Sequence, residues 1–277
     1  MSTASMLTRP PATEFRRRLL AHELLIGTFV KTPHPCVIEL LGSSPLDCAC
    51  LDAEHAPFDR SALDVGLLAG RAANLPVLVR IPRAHPADIL HALDLGAVGV
   101  VIPHVASAED AQAVARAARY GPGAARGYSG STRAAGYGSR SMSDVIDDAN
   151  RNVVVIAQIE DAAALEHLDA IAEVEGIDAL FIGRMDLTVS LGARSPNDEQ
   201  VINAVQAVCA SARRHSRAVG MFTPTVEEAR RWTAEGASLF LLASDQQWIV
   251  QGARELVAAL RAADGGLGAA SIEKPRP

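Results

Sequence analysis

The stretch Leu51-Asp52-Ala53-Glu54-His55-Ala56-Pro57-Phe58-Asp59 packs three carboxylates and a histidine into eight residues, just after the short apolar run Leu46 to Leu51. A histidine titrates near neutral pH, and neighbouring carboxylates orient it and tune its basicity. Pro57 discourages Ala56 from helical geometry, which places His55 on a turn. A histidine turned out at the end of a buried strand can act as a general base. The same letters also describe a polar strand-to-helix connection whose histidine only caps or bonds locally, since loops hold both filler and function.

Other chemistry-bearing residues close other apolar runs. Arg80 stands at the end of Val77–Ile81. Gln158-Ile159-Glu160-Asp161 ends a fifth run, and Gly183-Arg184-Met185-Asp186 follows a sixth. Glu160 and Asp186 supply the oxygen ligands that Mg²⁺ or Mn²⁺ prefers, and two carboxylates leave positions for water and a chelating substrate. A 2-oxo acid suits those positions through its carboxylate and keto oxygens, and the metal then acts as a Lewis acid on the enolate. Arg80 could stabilise the same oxyanion by a charge-assisted hydrogen bond. The plainer roles are helix capping for the two acids and a salt bridge for the arginine. His104 follows the fourth run and lines the same end or simply serves its loop. Glu54 has no assigned chemistry beyond structuring its turn. The chain holds only two lysines, Lys31 and Lys274, so a Schiff-base mechanism has Lys31 or nothing.

These residues need a frame that brings several strand ends together. Val/Ile/Leu-rich runs recur at about Ile26–Lys31, Leu46–Asp52, Val77–Ile81, Val98–Ile102, Val153–Ile159, Ala179–Ile182, Ala218–Phe222 and Leu239–Leu242. Most lack strict alternation, as parallel strands buried on both faces do. Between them lie helix-favouring segments such as Ser61–Ala73, Pro86–Leu95, Ala108–Tyr120 and Glu199–His215, with Gly96 and Gly236 at helix ends. Eight such units predict an α/β (β/α)₈ TIM barrel, whose active site gathers on the loops after the strands. The alternative is a doubly wound open sheet. No GxGxxG after the first strand and no GxxxxGK[ST] supports its nucleotide-binding versions. The expected organisation is a leader with a short helix over 1–22, a barrel over 23–262 and a flexible tail over 263–277. The long interval 103–152 contains a Gly/Ser/Arg-rich loop, Gly121 to Arg140, of the kind used for lids or subunit contacts.

A net charge of −6 and a pI near 5.8 offer no broad attraction to nucleic acid or an anionic membrane. No apolar stretch reaches the roughly 18 residues of a membrane span, and no secretory h-region follows Arg16-Arg17-Arg18. A cytoplasmic protein is expected, with Cys36, Cys48, Cys50 and Cys209 as reduced thiols.

At these residues the chain resembles the HpcH/HpaI aldolase family, the metal-dependent class II pyruvate aldolases. The resemblance runs from about Gly27 to Leu260. It rests on Leu51 to Pro57, on Gln158-Ile159-Glu160, and on Gly176-Ile177-Asp178-Ala179-Leu180-Phe181-Ile182-Gly183-Arg184-Met185-Asp186-Leu187. Arg126-Gly127, Arg133-Ala134 and Tyr137-Gly138 add to it. The resemblance implies reversible aldol cleavage of a 4-hydroxy-2-oxo acid to pyruvate, or a related 2-oxo acid, and an aldehyde. Other metal-enolate lyases, such as an oxaloacetate decarboxylase or a CoA-ester lyase, and a catalytically silent barrel are the alternatives. It also implies a homohexamer in which a terminal helix packs onto a neighbouring barrel, and a divalent cation, Mg²⁺, Mn²⁺ or Co²⁺. By resemblance, His55 is the base acting through a metal-linked water, Asp52 supports it, and Arg80 stabilises the enolate. Glu160 and Asp186 are the metal ligands; Gln158, Gly183 and the backbone around Met185 bind pyruvate. Asp94 resembles an acid that joins the base network from a neighbouring subunit. The chain departs from the family in Arg184, where a proline is frequent, in Gly27-Thr28-Phe29 for a GxW pattern, and in Cys48 and Cys50 for bulkier residues. Arg184 beside the metal could contact an acidic substrate or alter carboxylate binding.

Overall fold

A computed structural model of the chain describes residues 11–267. Of the expected leader segment 1–22 and tail 263–277, residues 1–10 and 268–277, with Lys274, lie outside the described residues, and the last helix continues to Leu267, inside the expected tail. Eight parallel strands close into one barrel in chain order, which decides between the two expected architectures. They are β1 (Leu25–Val30), β2 (Cys48–Asp52), β3 (Val77–Arg80), β4 (Gly99–Ile102), β5 (Val154–Ile159), β6 (Ala179–Ile182), β7 (Ala218–Thr223) and β8 (Leu239–Ser244).

Helices cover the barrel between these strands. They are α1 (Phe15–Leu20), α2 (Pro35–Gly42), α3 (Arg60–Ala72), α4 (Pro86–Asp94), α5 (Ala108–Ala118), α6 (Met142–Asn152), α7 (Leu168–Glu173), α8 (Arg184–Ser190), α9 (Glu199–Arg214), α10 (Val226–Ala234) and α11 (Asp245–Leu267). Local signals set many of their ends. Asp59 Oδ1 accepts the Ala62 amide at the start of α3, and Ser107 and Ser141 cap α5 and α6 in the same way. Gly96 and Gly236, just beyond α4 and α10, adopt φ of +96° and +102°, the left-handed turn that glycine enters without steric cost. Periodicity does not announce α2. Its run Cys36-Val37-Ile38-Glu39-Leu40-Leu41 is almost continuously apolar, and such a run reads equally as a strand.

The strand period of two divides the apolar residues between two cores. Outward side chains such as Val79, Val100, Val155 and Leu180 pack under the helices. Inward ones, including Phe29, Cys48, Cys50, Leu78, Val101, Ile156, Phe181 and Leu241, fill the barrel. Phe15 and Leu19 of α1 join that inner core. Arg16 of α1 pairs with Asp178 at 2.8 Å and Arg18 with Asp47 at 2.9 Å, both just before a strand begins. Helix α1 therefore closes the end where the strands start, and the opposite end stays open.

The loop Gly121–Arg140 lies along α3 and the C-terminal end of α4. Arg133 bonds the carbonyls of Asp64 and Leu95, and Arg126 donates to Asp94 Oδ1 at 3.1 Å. None of its residues lines the cavity at the strand C-terminal ends, so it does not lid its own barrel.

Candidate active site at the barrel mouth

The inner-face alternation continues from apolar into polar residues at the C-terminal ends of the strands. Cys48 and Cys50 are followed by Asp52, Leu78 by Arg80, and Val154 and Ile156 by Gln158 and then Glu160. These four polar side chains therefore form the top layer of the barrel core, and Arg80 and Gln158 among them line a cavity of about 900 Å³. Asp52 and Arg80 are register partners of neighbouring strands, and their side chains make a bidentate pair. Arg80 Nε donates to Asp52 Oδ1 at 3.0 Å and Nη2 to Oδ2 at 2.9 Å. The guanidinium also stands 4.5 Å over the Phe29 ring. Burial alone would push the Asp52 carboxyl up. The Arg80 guanidinium outweighs it, helped by the His55 amide and Lys31, and holds the group below the ordinary carboxylate range.

His55 lies beyond β2 with its ring exposed toward the cavity. Asp52 Oδ1 accepts the His55 backbone amide at 3.0 Å, so it supports the turn rather than the ring. The nearest acid to the ring is Glu54, whose Oε2 lies 3.8 Å from Nε2. Lys31 also reaches the mouth, with Nζ 3.5 Å from Asp52 Oδ2.

Glu160 is almost fully buried. Its Oε1 accepts the His104 amide at 2.9 Å, and its Oε2 accepts from the Gln158 side-chain amide. The His104 ring approaches two further acids, Asp161 Oδ2 at 3.0 Å from Nδ1 and Glu54 Oε1 at 4.0 Å from Nε2. Glu54, His104 and Glu160 thus each offer one donor atom, all within 4.8 Å of one another. Glu54 Oε2 and Gln158 Oε1 are buried without a hydrogen-bond partner. Burial and the Glu160 charge push the Glu54 carboxyl up, against the opposing charges of Arg80, His55 and His104. For His104, burial would lower the imidazole, but Asp161, Glu160 and Glu54 raise it above its ordinary value. A cluster of this kind, with orphaned oxygens beside two acids and an imidazole, fits a divalent cation.

Gly183, Met185 and Asp186 lie across the cavity at the start of α8, with Met185 and Asp186 exposed. A Cβ on Gly183 would sit 2.7 Å from Glu160 Cβ and 2.8 Å from Glu160 Oε2. Only glycine lets this turn approach Glu160 so closely. Arg184 also lines this cavity, and its Nη1 has no hydrogen-bond partner. Its guanidinium is buried, pairs with Glu228 of α10 at 2.6 Å and stands 5.9 Å over Trp232. Asp94 sits at the last residue of α4, at the closed end of its own barrel, so it cannot join its own mouth.

Missed by the sequence reading were Glu54 as a member of the donor cluster and His104 as its partner. The place of Glu54 in the turn directly after β2, two residues beyond Asp52, was the available signal for the first. For His104 the signal was its place directly after β4, at the same level as Glu160 after β5.

A closed parallel barrel whose strand ends converge on charged residues around one cavity is the architecture of a barrel enzyme. A family model for HpcH/HpaI aldolase/citrate lyase matches residues 25–252. The chain belongs to the HpcH/HpaI aldolase family and is an aldolase/lyase-family enzyme. It is 34% identical over 233 residues to the 5-keto-4-deoxy-D-glucarate aldolase of Klebsiella pneumoniae subsp. pneumoniae, covering 84% of this chain and 90% of that protein. Among solved structures, a HpcH/HpaI aldolase/citrate lyase family protein from Burkholderia cenocepacia J2315 superposes with a TM-score of 0.86 at 31% identity, covering 90% of this chain and 99% of that one. The citrate synthase SbnG does so with a TM-score of 0.80 at 29% identity, covering 91% and 98%. No helix among the described residues is long and apolar enough to cross a membrane.

Proposed function

We propose that this protein is a divalent-metal-dependent class II aldolase that reversibly cleaves a 4-hydroxy-2-oxo acid into pyruvate, or a related 2-oxo acid, and an aldehyde. The observation that carries this reading is the donor cluster around Glu160 beside the Asp52–Arg80 pair, at the rim of one substrate-sized cavity. The aldolase names of the relatives at 34% identity support it.

Glu160, a member of the donor cluster, would hold the cation together with Asp186, which lies outside the cluster on the cavity wall; the cation would supply Lewis acidity toward the oxygens of the 2-oxo acid. Gln158 and the backbone around Gly183 and Met185 orient the carboxylate end of the substrate. His55, through a water, takes the proton of the C4 hydroxyl, the C3–C4 bond breaks, and the aldehyde leaves. The bonding pair moves to C3 and the enolate oxygen, and Arg80 stabilises that oxygen by donating to it. Protonation at C3 completes pyruvate. Chelator should abolish retroaldol activity and Mg²⁺, Mn²⁺ or Co²⁺ should restore it; full activity in excess chelator would exclude the proposal. Lys31 at the mouth makes a Schiff-base route testable on the same sample. Borohydride with pyruvate is expected to leave Lys31 unmodified, and a trapped adduct would replace this mechanism.

A homohexamer with an exchanged terminal helix belongs to the same reading. Helix α11 presents Ile249, Val250, Leu256, Val257 and Leu260 to solvent, an apolar stripe at helical spacing that a second copy would cover. An exchanged helix and a subunit contact through the Gly121–Arg140 loop would also carry Asp94 to a neighbouring mouth. The double variant Leu256→Glu, Leu260→Glu is expected to shift the light-scattering mass from an oligomer toward a single chain. An unchanged mass would remove α11 from the interface.

A further inference from the structure

Between β4 and β5 the mouth holds a nitrogen donor as well as carboxylates. We propose that His104 is an additional ligand of the cation at this site, and that it biases the site toward imidazole-accepting cations such as Co²⁺ and Zn²⁺ over Mg²⁺. The inference rests on the metal-dependent reading above and deepens it.

Three observations carry it. The first is separation. Two donors bound at about 2.1 Å to one ion stand at most roughly 4.2 Å apart. His104 Nε2 lies 4.0 Å from Glu54 Oε1 and Nδ1 lies 3.4 Å from Glu160 Oε1, and one donor atom from each of the three residues falls within 4.8 Å of the others, so a small turn of the ring would bring a nitrogen and both acids onto one ion. The second is the orphaned oxygen. The Glu54 side chain is only 10% exposed, yet its Oε2 has no hydrogen-bond partner. That oxygen faces Arg80 Nε at 3.3 Å, an N–H already donated to Asp52, and His55 Nε2 at 3.8 Å, while Oε1 of the same buried carboxylate faces His104.

The third observation is the orientation of the ring. His104 Nδ1 lies 3.0 Å from Asp161 Oδ2 and 3.4 Å from Glu160 Oε1, and the nearer Asp161 oxygen accepts its N–H. That bond selects the tautomer whose Nε2 carries a free lone pair, on the side of Glu54. A ligating histidine characteristically donates its other ring nitrogen to a carboxylate, and Asp161 has that place. The backbone agrees with a fixed ring. His104 adopts φ of +55°, uncommon for a residue with a side chain, and its amide is held by Glu160 Oε1. The ring itself is 61% exposed, so apolar packing does not explain its position.

The chemical consequence follows from ligand type. Mg²⁺ takes oxygen ligands almost exclusively, whereas imidazole suits Co²⁺, Ni²⁺ and Zn²⁺. Replacing the imidazole should therefore cost the second group of ions far more than Mg²⁺.

The test uses the full chain stripped with chelator and titrated calorimetrically with Co²⁺, Zn²⁺ or Mg²⁺ alone, with the visible spectrum of bound Co²⁺ as a second readout. His104→Ala is expected to weaken Co²⁺ and Zn²⁺ at least tenfold, to change Mg²⁺ less than threefold, and to alter the Co²⁺ absorption bands. Asp161→Asn, which keeps the ring but loosens its orientation, is expected to weaken Co²⁺ about 10- to 100-fold. Unchanged Co²⁺ affinity and spectrum in His104→Ala, with binding still lost in Glu160→Gln, would overturn the role of His104 and leave the metal-dependent reading standing. An equal loss for all three ions would overturn the selectivity. Failure of the unmodified protein to bind any of them would overturn both.

Discussion

Arg80→Ala is expected to destabilise the fold by about 3–5 kcal/mol, the usual cost of removing one partner from a buried ion pair. The reason is what remains. Asp52 is fully buried and gives up two charge-assisted hydrogen bonds, 2.9 and 3.0 Å long, while the cavity left by the guanidinium lies under Phe29. Lys31 Nζ, 3.5 Å from Asp52, keeps the cost toward the lower end. The pH dependence gives this prediction a sign. In the unmodified protein the Asp52 carboxyl sits below its unfolded value, so its contribution is present at neutral pH and fades as pH falls through the folded value. In the variant, burial without the guanidinium raises the folded value instead, and stability is lost as pH rises through the carboxylate range. The difference between the two proteins in urea unfolding should therefore be largest near neutrality and shrink in mild acid. A difference under about 1 kcal/mol at neutral pH would mean that the pair does not organise the mouth. In the proposed reaction the same substitution also removes a donor to the enolate oxygen, about 10²- to 10³-fold in kcat. Arg80→Lys should recover little of it, since a point charge cannot repeat the two-pronged bond to Asp52.

The second large effect separates catalysis from structure. His55→Ala is expected to lower retroaldol turnover by about 10²- to 10⁴-fold, the usual contribution of a positioned general base. Stability should stay within about 0.5 kcal/mol, because the ring is 52% exposed and the turn is held by the backbone amide on Asp52, which alanine retains. Cation affinity should also persist, as the donor cluster lies on Glu54, His104 and Glu160 rather than on His55. Steady-state kinetics of pyruvate release, with cation titration of the same preparation, checks both halves. Activity within threefold of the unmodified protein would assign the base to another group, and the nearest acid to test is then Glu54.

Both predictions depend on residues that were legible before any coordinates. Asp52, Arg80 and Gln158 stand at or near the last residue of an apolar strand and Glu160 directly after one, and strand parity alone puts them on the inner face. Each strand is a short apolar run, and in a parallel barrel every strand ends on the same side. A one-dimensional pattern therefore suffices to predict that such residues meet. Gly96 and Gly236 are legible for the same reason, since a helix terminus is a local event. Helix α2 was not, because its almost continuous apolar run carries no distinguishing period.

What only the tertiary structure decided is the pairing among those residues. Sequence placed His55 beside Asp52 as ring and support, but the side chain of Asp52 bonds Arg80 and the His55 amide, because register sets β2 against β3. Sequence placed Arg184 at the mouth, where it lines the cavity, but its partners there, Glu228 and Trp232 of α10, lie more than forty positions away. Glu54 and His104 meet across the end of β3, because β2 and β4 flank it in the closed sheet. Spacing along the chain determines which face a side chain occupies. Which oxygen it then finds depends on strand register and helix packing, which are set by contacts far apart in sequence.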